Sequence, residues 1–171
     1  MEKGLAGRLV QGKAIVVVAI ELREPRGFGR VRLRIVPEAS QTNLFDFVRA
    51  SIEVGSVVRT DGWNIYKALP ALGYGHDVVT VKHSGHQAHE VLPGVHRVAS
   101  LLKRWIEGTL HAGISHEHLG YYLDEFTFRF NRRRSTRRGL LFYRLLDQAV
   151  HAEPIHYDEL VGGNPDLKML G

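Results

Sequence analysis

The order of hydrophobic patterns along the chain predicts an α/β fold, a mixed sheet flanked by helices. Three observations carry this. Lys13 to Leu22 is a continuous β-branched run. Val31, Leu33 and Ile35 alternate with Arg30, Arg32 and Arg34. Apolar stripes at helical spacing dominate the later half, at Val95–Ile106 and Leu119–Phe130.

Residues 1–12 are glycine-rich without periodicity and read as a loop. The run from Lys13 to Leu22 fits a buried strand, and Arg23-Glu24-Pro25-Arg26-Gly27 has the chemistry of a turn. The alternating segment after it completes a hairpin with one wet, basic face. Ser40 is placed to cap a helix through about Ile52, with Leu44, Phe47 and Val48 on one face. Ser56 to Thr60 is a short strand that ends at Asp61. Trp63 to Leu72 reads as a short helix closed by Gly73, and Asp77 to Val81 as another strand. Lys82 to Glu90 has no period and reads as a loop. Pro93 opens a helix to Glu107 that Gly108 ends, Ser115 opens a longer one through Phe130, and a last helix spans about Leu140 to Val150. The predicted order is β-β-α-β-α-β-α-α-α. No internal repeat or linker calls for a second domain, so residues 13–150 form one domain and 151–171 a tail.

With 171 residues and 44% hydrophobic content, the chain can bury a core. Zero cysteines exclude a disulfide scaffold and thiolate zinc sites. No cationic leader precedes an apolar segment, and the apolar run Ala14–Ile20 is too short to span a bilayer, so a cytoplasmic protein without a membrane partner is expected. Lys and Arg exceed Asp and Glu by 23 to 18. The excess is local: Arg129, Arg132, Arg133, Arg134, Arg137 and Arg138 lie within ten residues. Clustered cations of this kind suit a polyanion, with a solvated helix end as the plainer reading.

On the helix from Pro93, Val95, Val98, Ala99, Leu102 and Ile106 form the apolar face, and His96, Ser100, Lys103 and Glu107 run along its flank. A helix lying against the end of the Asp61 strand would offer His96 to a metal ion and Lys103 to a phosphate. Phosphodiester chemistry needs an activated nucleophile and a stabilised leaving oxyanion, and two divalent ions held by acidic side chains supply both. Each residue also has a plainer reading: Asp61 as a turn residue before Gly62, His96 as a partly buried helix histidine, Lys103 as a solvated lysine. His83, His86 and His89 suggest a metal cluster by spacing but read more simply as a loop, and Phe126, Phe128 and Phe130 as core or interface aromatics.

Three stretches then act together: Val57-Val58-Arg59-Thr60-Asp61-Gly62-Trp63, Val95-His96-Arg97-Val98-Ala99-Ser100-Leu101-Leu102-Lys103-Arg104-Trp105, and Tyr122-Leu123-Asp124-Glu125-Phe126-Thr127-Phe128-Arg129-Phe130-Asn131-Arg132-Arg133. From about Lys13 to Val150 the chain resembles the ISXO2-like transposase domain of insertion sequences, within the DDE superfamily. The resemblance implies a ribonuclease-H-like fold and metal-dependent cutting and joining of transposon ends, with Mg²⁺ or Mn²⁺ as cofactor. By position, Asp61 matches the family's second catalytic aspartate, His96 its third acidic position, and Lys103 the lysine that follows on the same helix; Asp61 and His96 would be the metal ligands. Arg104, Arg132, Arg133, Arg134, Arg137 and Arg138 would contact double-stranded DNA, and a homo-oligomer is expected of the active enzyme. The family's first aspartate sits on a strand upstream of Lys13–Leu22. The chain is therefore expected to lack that first strand, and residues 13–150 to be a partial, inactive catalytic domain; Glu21 is a weak substitute for the absent acid. The competing readings are a non-catalytic DNA-binding or interaction remnant, and an unrelated metal-dependent nuclease on the same fold. A neutral imidazole at position 96 favours Mn²⁺ over Mg²⁺, since magnesium prefers oxygen.

Overall fold

A computed structural model describes residues 14–23, 25, 27–79, 92–110, 118–137, 139–154 and 156. The expected loop at 1–12, the histidines at 83, 86 and 89, Ser115, Arg138 and most of the tail lie outside these residues. The chain divides into two compact units, 1–131 and 132–171.

In the first unit, β1 (Ile15–Leu22) and β2 (Phe28–Val36) form the expected antiparallel hairpin, in register from Ile15 opposite Val36 to Ile20 opposite Val31. The turn closes with the Arg23 N–H donating to the Gly27 carbonyl at 3.1 Å. Between Ile20 and Leu22 the register slips. There the Glu21 carboxylate accepts from the Arg30 N–H at 2.9 Å, replacing a lost ladder bond.

Next come α1 (Gln41–Ser51), capped by the Ser40 hydroxyl accepting from the Asn43 N–H, and β3 (Val57–Thr60). The segment expected as one short helix is instead two 3₁₀ turns, Asn64–Ala68 and Pro70–Leu72. Pro70 has no N–H to return to Tyr66, so the Tyr66 carbonyl takes the Leu69 N–H, and Gly73 closes the second turn as predicted. β4 is Gly75–Val78, starting two residues before the expected Asp77. Tyr74, buried with its hydroxyl donating to the Ile52 carbonyl at 3.2 Å, fixes where β4 starts. β3 and β4 pair in parallel. The described strands thus form two two-stranded sheets, one antiparallel and one parallel, giving the mixed α/β class.

α2 (Pro93–Leu110) continues through Gly108, which was expected to end it; open space surrounds Gly108, and a single interior glycine costs a helix only about 1 kcal/mol. α3 spans Leu119–Asn131. α2 packs on β1 and α3 on β2, and their core joins Val31, Val98, Leu102, Leu123 and Phe126 to Val16, Val18, Ile20, Leu33 and Ile35. The N-terminus of α2 comes close to the hairpin, and a Cβ on Gly94 would lie 2.8 Å from the Phe28 ring. α1 also contacts the hairpin, and the Arg34 guanidinium stacks 5.6 Å from the Phe47 ring centroid. The basic face is therefore exposed but not bare. A second cluster of Phe45, Val48, Leu69 and Tyr74 lies among α1, the 3₁₀ turns and Val58.

Asn131, the last residue of α3, uses its side-chain amide as a strand would use its backbone. Its Oδ1 accepts from the Val31 N–H at 2.7 Å and its Nδ2 donates to the Val31 carbonyl at 3.1 Å. Both polar groups of a fully buried residue are thereby paired.

In the second unit, α4 spans Gly139–His151. No described helix is long and apolar enough to cross a membrane.

Candidate nucleic-acid and metal site

Asp61 lies immediately beyond the carboxyl end of β3, in a parallel pair. Loops at the carboxyl ends of parallel strands are where α/β sheets place ligand groups. The turn is built locally. Asp61 Oδ1 accepts from the Trp63 N–H at 3.2 Å, and Gly62 takes a positive φ of 82°. Beneath it the buried Thr60 hydroxyl accepts from the Gly62 N–H at 3.4 Å and is hydrogen-bonded to His76 Nε2 at 2.9 Å. Across the strands, Arg59 Nε donates to Asp77 Oδ2 at 2.6 Å. The Asp61 carboxylate faces solvent, with Oδ1 tied to the turn.

Tyr66 shows where that charge is felt. Burial first, and the nearby Asp61 carboxylate second, raise its phenol above the ordinary value. Trp63, 44% exposed, meets the Tyr66 ring edge-on at 6.0 Å. These aromatics form an apolar shoulder beside the carboxylate.

His96 and Lys103 both project from the exposed side of α2, opposite the buried Val98 and Leu102. The Lys103 ammonium lies 3.9 Å from the Glu107 carboxylate, a solvated helix pair of small energetic consequence. Arg104 is exposed on the same helix. α2 rests on β1. Among the described residues no group of three or more His, Cys, Asp or Glu side chains is placed to hold a metal ion. Asp61 and His96 are suitable donor types, but two donors fall short of the six or so that a divalent ion collects from protein and water. Glu21 adds none: the Arg30 N–H and the Arg23 guanidinium at 3.2 Å occupy its carboxylate and hold its pKa below the ordinary value.

The arginines belong to the second unit. Arg132, Arg133 and Arg134 form the turn after α3, closed by the Ser135 N–H donating to the Arg132 carbonyl at 2.9 Å. Arg134 and Arg137 line a cavity together with Arg144 of α4. Arg144, on α4 beyond the arginine block, was not singled out in the sequence. Nor were His76 and Asn131, whose partners are distant in sequence and leave no local pattern.

A family model described as the ISXO2-like transposase domain matches residues 2–131 of the chain. No curated protein and no solved structure matches it. The matched segment ends at the residue where the first compact unit ends.

Proposed function

The chain belongs to the ISXO2-like transposase domain family, and from that premise we propose that it carries part of a DNA cutting-and-joining site acting on transposon ends in the cytoplasm. The single observation that supports this reading is Asp61, held by an Asx turn at the carboxyl end of a parallel strand and open to solvent. Asp61 and His96 would be donors to Mg²⁺ or Mn²⁺, which when bound activates the attacking oxygen and neutralises the leaving one. Lys103 and Arg104 would face phosphates, as would Arg132, Arg133, Arg134, Arg137 and Arg138. The fold behind the site would be ribonuclease-H-like, and the working form a homo-oligomer that brings two DNA ends together.

A second reading, DNA binding without catalysis, is favoured by the lack of a three-donor group among the described residues. Metal-dependent cleavage of transposon-end DNA separates the two. Cleavage that Asp61→Asn abolishes supports the site, and equal cleavage by that variant refutes it. DNA binding with no cleavage in either Mg²⁺ or Mn²⁺ supports the second reading.

A further inference from the structure

The cavity in the second unit has a volume of about 270 Å³ and is bounded by Arg134, Arg137 and Arg144, the hydroxyl residues Ser135 and Thr136, and two leucines of α4. We propose that it seats two adjacent phosphates of one DNA strand. The proposal rests on the DNA-binding reading for the source of the phosphates and extends it to a built pocket and to Arg144.

Three features of the pocket argue for this ligand. The first is charge. Three guanidinium groups line one concavity, and the acid on α4, Asp147, lies 3.7 Å from His151. Among the described residues no carboxylate lines the cavity; like charges gathered in this way repel one another, and an anion between them removes that repulsion. A single phosphodiester carries one negative charge, whereas two neighbours come closer to balancing three cations.

The second is shape. At roughly 30 Å³ per water, the cavity holds about nine water volumes, more than one phosphate needs and enough for two with the sugar between them. The third is chemistry. Guanidinium forks match phosphate oxygens bidentately, and the Ser135 and Thr136 hydroxyls add donors. Leu140 and Leu141 stand one turn before Arg144 on α4, so an apolar wall adjoins the cations, as a deoxyribose requires.

Binding of a fluorescent DNA duplex to the full chain, followed across a salt series, tests the proposal. The variants are Arg144→Ala, Arg144→Lys and, as an exposed arginine of α1 outside the pocket, Arg49→Ala; inorganic pyrophosphate and orthophosphate serve as competitors. The log-log salt slope is expected to flatten by about one for Arg144→Ala and to stay unchanged for Arg49→Ala. Arg144→Lys should keep the slope but lose affinity several-fold, because a point charge replaces a fork. Pyrophosphate should displace the duplex at concentrations where orthophosphate does not. An Arg144→Ala variant matching Arg49→Ala in slope and affinity overturns the pocket while leaving DNA binding intact. If the duplex does not bind but pyrophosphate binds directly in an Arg144-dependent way, the oxyanion pocket stands and the DNA reading falls. If neither duplex nor pyrophosphate binds, the pocket is overturned.

Discussion

Asn131→Ala is expected to be the most destabilising polar substitution in the first unit. The wild-type amide makes two hydrogen bonds to Val31, at 2.7 and 3.1 Å, and Val31 is 0% exposed. Truncation leaves the buried Val31 N–H without a partner, at a cost of about 1–3 kcal/mol, while the Val31 carbonyl keeps only the Arg32 guanidinium at 3.4 Å. Water entering the vacated space recovers part of this and the lost carbonyl bond adds a little, so a loss of about 1–3 kcal/mol is expected. With a urea m-value of about 2 kcal/mol/M, the unfolding midpoint should fall by about 0.5–1.5 M. Asn131→Asp sharpens the test. It keeps an acceptor for the Val31 N–H but sets a carboxylate oxygen against the Val31 carbonyl, which disfavours the charged form and raises the folded-state pKa. Stability of this variant is therefore greatest below the unfolded-state pKa, where the protonated acid can donate, and is lost as pH rises through the folded-state pKa. An Asn131→Ala midpoint within error of wild type would refute the claim that this amide completes the β2 backbone.

Three further outcomes are expected. Asp61→Asn should lower the Tyr66 pKa, read by ultraviolet titration, without returning it to the ordinary value, because burial is the larger cause; no change would mean the carboxylate is turned away from Tyr66. A Cβ at position 29 meets the Glu21 carboxylate, so Gly29→Ala should push it off the Arg30 N–H and bring the Glu21 pKa up, as NMR titration would show. In the wild type the depressed Glu21 contributes stability above its unfolded-state pKa and loses it as pH falls through the folded-state value; an unmoved Glu21 pKa in Gly29→Ala would remove the Arg30 contact as its cause. Gly94→Val should destabilise by about 1–3 kcal/mol in thermal or urea unfolding, since the added carbons enter the Phe28 and Ile20 contact at the start of α2, and a stabilised variant would contradict that packing.

Local chemistry made much of this protein legible from its residues. The β-branched run, the Arg-Val alternation and the Ser40 cap each specify a backbone state through neighbours a few positions away, and β1, β2 and α1 formed close to their expected bounds. The three motif stretches identified the transposase family, because spacing along a chain survives without coordinates. Asp61 was legible as the residue ending a strand, since Thr60-Asp61-Gly62 is itself a turn signature.

Long-range pairing was not legible in the same way. Asn131 completing Val31, His76 bonding Thr60, Glu21 replacing a ladder bond at the strand slip and Arg144 joining Arg134 and Arg137 depend on which elements meet. Even the start of β4 was decided by the burial of Tyr74, not by strand propensity. By itself the sequence determined the elements and the family, through interactions spanning a few residues. Tertiary structure decided which polar groups are committed and which stay open to a ligand, because a hydrogen-bond donor is satisfied only by the partner that folding brings within reach.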